Sequence, residues 1–262
     1  MNDTDRPLAL VTGASAGIGA ELARELARHG HDLILAARSV RPMEALSAEL
    51  RALGAEATVI PIDLSKPGAA ATLAHDIASR GVAVDVLINN AGLGALRRFD
   101  RMDPARIGEM LQVNIVALTE LTRLLLPGMV ARRRGKIMMV ASVAAFQPGP
   151  HMAAYFASKA YVLSLGEALA YELRGTGVTV TTLCPGSTAT NFFNVAGANN
   201  SFMAKRLRRM MPAGQVARLG YRALMGGRRV VITGGMNRVF ALGGRYAPRR
   251  ISLSVTDLLM AD

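Results

Sequence analysis

The sequence predicts an α/β fold, a doubly wound parallel sheet of about seven strands with helices on both faces. Three observations carry this. Short apolar runs alternate with helical stretches of a dozen or more residues, the pattern of βαβ units around a parallel sheet. A glycine-rich turn, T-G-A-S-A-G-I-G, separates the first run from its helix. No repeat, low-complexity block or linker divides the 262 residues, so residues 1–262 read as one domain.

The elements follow in order. Leu8 to Thr12 is an apolar run behind Pro7, and the helix after the glycine turn stops at Gly30. Asp32 to Ala37 reads as strand two. Pro42 to Leu53 suits a helix with Gly54 just past its end. Thr58 to Ile62 gives strand three, and Lys66 to Arg80 a helix opened near Pro67. Val82 to Ile88 gives strand four. Pro104 to Arg134 is a long helical stretch with a break expected at Pro127-Gly128. Within it, Glu120 and Arg123 argue against a transmembrane span. Ile137 to Val140 is strand five, Met152 to Arg174 an Ala- and Leu-rich helix, and Val178 to Leu183 strand six. Arg229 to Thr233 is a candidate seventh. Ser187 to Gly214 has no clear periodicity, and a long loop inside a compact domain reads as a lid.

Composition narrows the function. The chain is 51% hydrophobic and 19% charged, enough for a proper core. The single cysteine, Cys184, excludes a disulfide framework and a cysteine-rich metal site. It reads as a small buried hydrophobe. The histidines and carboxylates show no metal-ligand spacing, so no metal is expected. The polar start M-N-D-T-D-R-P is no signal peptide, which makes a cytoplasmic location the expectation. With no Trp and 5% aromatics, there is no stacking platform for nucleic acid and no recognised module for it.

The glycine turn carries the first chemistry. Glycines let the backbone turn tightly and approach a phosphate, and the helix that follows offers free N–H groups and a positive dipole end. Gly13, Ser15, Gly17, Ile18 and Gly19 are therefore the expected dinucleotide contacts. A site for the unphosphorylated dinucleotide places an acid at the end of strand two, on the adenosine ribose. Here that position holds Ala37, then Arg38. An arginine suits a ribose 2′-phosphate, so NADP is the expected cofactor. Asp63, with Leu64 beside it, ends strand three and can receive the adenine amino group. Asn90, Ala91 and Gly92 follow strand four at the carboxyl edge, where small residues permit close approach.

Tyr155 and Lys159 carry the second. At i and i+4 they share one helical face. An ammonium beside a phenol favours phenolate, so the Tyr155 pKa is expected to fall from about 10. Ser142 lies at the end of strand five, where its hydroxyl can hold a substrate oxygen beside the phenol. His151, in the loop between them, is expected either to face substrate or to act as an exposed or capping residue.

Together, T-G-A-S-A-G-I-G, N-N-A-G, Asn114, Ser142, Y-F-A-S-K and C-P-G-S-T-A-T resemble the short-chain dehydrogenase/reductase family over about residues 7 to 190. The resemblance implies a Rossmann fold and hydride transfer between a nicotinamide and a carbonyl or alcohol. It makes Tyr155 the general acid in reduction and the base in oxidation. Lys159 would lower the Tyr155 pKa and bind the nicotinamide ribose. Ser142 would bond the substrate oxygen, and Asn114 would hold a water linking Lys159 to solvent. Pro185 and Gly186 would line the nicotinamide, with Thr188 and Thr190 on its carboxamide. A homo-oligomer, dimer or tetramer, is also implied, with Leu118, Leu121, Leu125, Leu165 and Leu169 at its helix-on-helix interface. Apolar residues between Phe192 and Met211 suggest a lipophilic ketone, ketoacyl or steroid-like substrate. The competing reading is a non-catalytic NADP-binding regulator on the same fold; intact Ser142, Tyr155 and Lys159 argue against it.

The net charge of +12 is unevenly placed. Residues 1–172 hold 18 Lys and Arg against 17 Asp and Glu, whereas residues 173–256 hold 13 cations and no acid. Such asymmetry points to an anionic partner, either an acidic carrier of an acyl substrate or a membrane surface met peripherally. The alternative is a plain solvated surface. The basic, apolar C-terminus is similar to that of ketoacyl- and steroid-type reductases in the same family. Gly234-Gly235 and Gly243-Gly244 argue against one continuous helix there.

Overall fold

The computed structural model describes residues 6–190, 192, 196 and 210–260, with side chains through 258. Seven parallel strands form the sheet. In chain order these are β1 (Leu8–Thr12), β2 (Asp32–Ala37), β3 (Ala57–Pro61), β4 (Val86–Asn89), β5 (Gly135–Val140) and β6 (Val178–Cys184). Two short strands, β7 (Thr188–Ala189) and β8 (Met211–Pro212), come next and pair only with each other. Strand β9 (Val230–Ile232) then completes the sheet, whose order is β3-β2-β1-β4-β5-β6-β9. The order reverses direction between β1 and β4, and ligands bind such sheets at the carboxyl edge beside that point.

Alternation along the strands divides the core in two. Leu10, Ile137 and Met139 face one side, Ala9, Val11, Met138 and Val140 the other. The first side is covered by α3 (Ala69–Ser79), α4 (Pro104–Leu111), α5 (Leu118–Ala131) and α6 (Ala153–Glu172). The second is covered by α1 (Gly17–Arg28), α2 (Val40–Ala52) and α7 (Ala213–Met225). Strands buried on both faces are mostly apolar, so they read as near-continuous runs in the sequence; β6 departs from this and buries Thr181 and Thr182 at 0% exposure.

Four differences from expectation have physical causes. Strand β4 starts at Val86 rather than Val82; the carboxylate of the preceding Asp85 accepts from Leu8 N (3.2 Å) and pairs with Arg134 (3.2 Å). The long helix does not break at Pro127, which lies inside α5. Its irregularity falls earlier, at a π-helical turn, Gln112–Ala117. The run Pro104–Ala131 is long and apolar enough, by length and composition alone, to cross a membrane. In this fold it buries Met110, Val113, Ala117, Leu118, Leu121 and Met129 against the sheet. Leu118 and Leu121 therefore belong to the core of this chain and not to an interface. Beyond β9, α8 (Gly235–Tyr246) runs through Gly243-Gly244. The break comes at Pro248, before α9 (Arg249–Met260). Most of the expected lid lies outside the described residues; its two ends are pinned together by the β7–β8 pair.

Candidate active site

A cavity of about 540 Å³ opens along the carboxyl edge of the sheet. The glycine turn forms one end. Gly13 and Gly17 take φ of +64° and +59°, conformations that favour glycine. A Cβ on Gly13 would stand 2.9 Å from the Ala91 Cα. Helix α1 opens on Ala16, which supplies no side-chain cap, so its first N–H groups remain for a ligand. Ser15, Gly17 and Ile18 line the cavity beside it. Gly19 does not. A Cβ there would collide with the Gly13 carbonyl and the Asn90 amide, so Gly19 is a packing residue that lets α1 start close to the turn.

Arg38, exposed at the end of β2, lines the same end of the cavity with Asp63 and Leu64. Burial works against ionisation of Asp63. The Ser65 hydroxyl (2.8 Å) and N–H (3.0 Å), with Arg38 nearby, nonetheless hold its carboxyl below the ordinary range. Asn90 fixes the next loop to the glycine turn, its amide donating to the carbonyls of Thr12 (3.0 Å) and Gly13 (3.2 Å). Ala91 and Gly92 complete this wall.

The other wall holds Ser142, Tyr155 and Lys159. Ser142 caps the short turn Val143–Phe146 by accepting from Ala144 N (3.1 Å). Tyr155 is buried between Phe156 and Phe192, ring centroids 6.1 and 5.4 Å away. Burial pushes its phenol up to about 12, with a Ser142 hydrogen bond pulling the other way. Lys159 donates to Val140 O (2.8 Å), and its Nζ lies 5.9 Å from the Tyr155 ring centroid. Burial lowers it to about 8. The expected fall of the Tyr155 pKa is thus reversed in the protein alone. The ammonium reaches a carbonyl and not the phenol oxygen, and desolvation wins.

Asn114 is fully buried in the π-helical turn and does not line the cavity. Its Oδ1 accepts from Leu93 N (2.8 Å); its Nδ2 donates to Leu93 O (2.9 Å) and Ser158 Oγ (2.9 Å). Ser158 in turn donates to Tyr155 O (2.7 Å). The side chain is a clamp between the loop after β4 and the helix that carries Tyr155. π-Helical turns recur at functional sites because they aim backbone groups that a regular helix would pair.

Pro185, Gly186, Thr188 and Thr190 close the cavity behind β6. Cys184 is buried at 0% exposure and pushed up to about 12 by that burial, an inert packing residue. Further lining residues lie beyond those expected from the sequence. Met152, at the N-cap of α6, and Phe156, one turn into it, line the cavity with Val113, and the four-residue spacing of the first two was the local signal. Thr256 of α9 also lines it, and nothing local announces that. His151, at φ +62°, turns away from the cavity to Asp257 of α9 (3.0 Å).

A parallel sheet with an uncapped helix N-terminus at its switch point, facing a Ser–Tyr–Lys wall, defines a dinucleotide-binding α/β protein. The chain belongs to the short chain dehydrogenase family, whose model matches residues 7–201, and it is an oxidoreductase of that type. It is 36% identical to the ketoacyl reductase HetN of a Nostoc species over 177 residues, which are 68% of this chain and 62% of that protein. The match thus spans less than two thirds of that relative. Among solved structures, a short-chain dehydrogenase from Sphingobium yanoikuyae in complex with NADPH superposes with a TM-score of 0.81 at 33% identity, covering 91% of this chain and 92% of the other. The bulky-bulky ketone specific alcohol dehydrogenase from Comamonas testosteroni superposes with a TM-score of 0.77 at 29% identity, covering 88% and 87%.

Proposed function

We propose that this chain is an NADP(H)-dependent carbonyl reductase or secondary-alcohol dehydrogenase acting on a lipophilic ketone or ketoacyl substrate. The carrying observation is that Ser142, Tyr155 and Lys159 line one wall of a cavity whose far end is the uncapped N-terminus of α1. The substrate end is lined by Val113, Met152, Phe156 and Phe192, which suits an apolar substrate. The ketoacyl and bulky-ketone enzymes among its relatives support the same class.

The glycine turn and α1 would hold the cofactor diphosphate, Lys159 the nicotinamide ribose, and Thr188 and Thr190 the carboxamide edge. The bound nicotinamide supplies hydride to the carbonyl carbon. Ser142 holds the carbonyl oxygen and orients it toward Tyr155. The Tyr155 hydroxyl gives its proton to that oxygen, which leaves as the alcohol. Lys159, one helical turn away, stabilises the phenolate left behind. A buried phenol near 12 keeps its proton until the oxygen needs it, which suits the acid of a reduction. A carbonyl panel read by NADPH consumption tests the activity. Turnover of at least one aliphatic ketone or ketoacyl thioester is expected. NADPH binding without consumption across the panel would replace this reading with the regulator.

Cofactor choice rests on Arg38 at the cavity and the lack of a carboxylate at residue 37. A charge-assisted contact to the 2′-phosphate contributes roughly 1.5–3 kcal/mol, so NADPH binds about tenfold or more tightly than NADH. Arg38→Asp reverses the preference in titrations of both nucleotides. Equal dissociation constants in the unaltered protein would contradict this choice.

A homo-oligomer is proposed through the outer faces of α5 and α6. Leu125, Leu165 and Leu169 are half-buried there, Leu124 and Tyr161 are exposed, and so is Val116 of the π-helical turn that leads into α5. Light scattering gives a dimer or larger species, and Leu124→Arg reduces it toward the monomer mass. A monomer at micromolar concentration before any substitution would end this proposal.

A further inference from the structure

We propose that α8 and α9 form a peripheral membrane-binding surface for an anionic lipid bilayer, which seats the mouth of the cavity against the lipid. The basis is that both helices are turned inside out. Helix α8 buries Ala241 and rests small or polar positions on the fold. Asn237 donates to Thr233 O (2.6 Å), and Gly244 lies so close to Gln147 and the Phe146 carbonyl that a Cβ would stand 2.7 and 3.1 Å from them. Its large apolar side chains point outward: Met236 is 68% exposed and Tyr246 75%, with Val239 and Leu242 between them. Helix α9 repeats the arrangement. It buries Ser252 and Thr256 and exposes Ile251, Val255 and Leu258, the last at 70%. A helix in water does the reverse.

Charge selects the occupant. Arg238, Arg245, Arg249 and Arg250 are exposed among these apolar groups. Asp257, the acid of α9, is engaged by His151. A second copy of this chain would bring four arginines against four, so a self-complementary contact is repulsive. An anionic headgroup layer satisfies the arginines while the apolar side chains enter the acyl boundary beneath it. The surface also borders the site. Thr256 lines the cavity from α9, and α8 packs on the turn that follows Ser142. A lipophilic carbonyl would then enter from the bilayer. That delivery rests on the reductase reading above; the membrane contact does not.

The test is co-sedimentation of the full chain with phosphatidylcholine vesicles, with and without phosphatidylglycerol, at low and high salt. Binding is expected only to the anionic vesicles and only at low salt. Arg245→Ser, Arg249→Ser and Arg250→Ser weaken partition about fivefold each, about a hundredfold together. Leu242→Ser with Tyr246→Ser weakens it at least about tenfold. Both sets leave turnover of a water-soluble ketone unchanged, since none of these side chains lines the cavity. Recovery in the supernatant under every condition overturns the proposal. So does binding that survives loss of Leu242 and Tyr246, a self-associated species that those two substitutions dissolve, or capture of an acyl carrier protein by this surface with vesicles ignored. Vesicle binding with the expected dependence but no carbonyl turnover leaves the surface standing and removes the reductase.

Discussion

Tyr155→Phe abolishes turnover and leaves NADPH binding within a few-fold of the unaltered protein. The substitution removes one oxygen and keeps the ring, so packing against Phe156 and Phe192 persists. What disappears is the proton donor. General acid–base catalysis contributes about 10²–10⁴-fold, and with the proton step gone the alkoxide has no buried acid to meet. The fold is kept: Tyr155 enters the Asn114–Ser158 hydrogen-bond chain through its main-chain carbonyl and not its hydroxyl. The check is steady-state reduction beside nucleotide titration and a melting curve. A kcat within threefold of the unaltered protein would remove Tyr155 from the reaction.

Lys159→Met loses both rate and nucleotide affinity, by about 10²-fold or more for the two combined, while the protein stays folded. Two hydrogen bonds from a charged donor contribute roughly 1.5–3 kcal/mol each. The ammonium is buried, and Val140 O is its one hydrogen-bond acceptor among the described residues. Such a charge costs stability, so methionine of similar length keeps or raises the unfolding midpoint. The pH dependence separates the two effects. Burial lowers the folded pKa to about 8 from an ordinary 10.5. Between these values the unfolded chain binds a proton that the folded chain lacks, so stability rises with pH across that window. The ammonium a ligand needs is lost over the same window, so nucleotide affinity falls. Tyr155 acts oppositely and higher: raised from 10.0 to about 12, it makes stability fall as pH passes through that range. In the Met variant the rise between about 8 and 10.5 is absent. A pH-independent nucleotide affinity in the unaltered protein would refute the assignment of Lys159 to the ribose.

Strands β1 and β2 fall at the expected residues, because both are covered on both faces, run mostly apolar through their length and have glycine or polar residues at their limits. The glycine turn was legible because the φ of residues 13 and 17 favours glycine. Tyr155 and Lys159 were legible because four residues make one helical turn. Local rules therefore determined the doubly wound fold, the glycine turn and the wall that carries Ser142, Tyr155 and Lys159.

The rest depends on what lies across space. Gly19 reads like its neighbours in the turn and is a packing residue, because its obstacles are the Gly13 carbonyl and the Asn90 amide of another loop. Leu118 and Leu121 differ from Leu124 only in which side of α5 the sheet lies on. Pro127 leaves α5 intact, while the π-helical turn holds Asn114 in a clamp to Leu93 and Ser158 that no local pattern encodes. The phenol and the ammonium share a face in sequence; only the folded burial decides that their pKa values move apart in the protein alone. Thr256 reaches the cavity from a helix a hundred residues beyond Tyr155 by a path that only tertiary packing fixes. The sequence determined which groups can do chemistry, since that is a property of residue type and short spacing. The tertiary structure decided which of them are desolvated, which face the cavity and which apolar side chains are left in water, since burial depends on residues far apart in the chain.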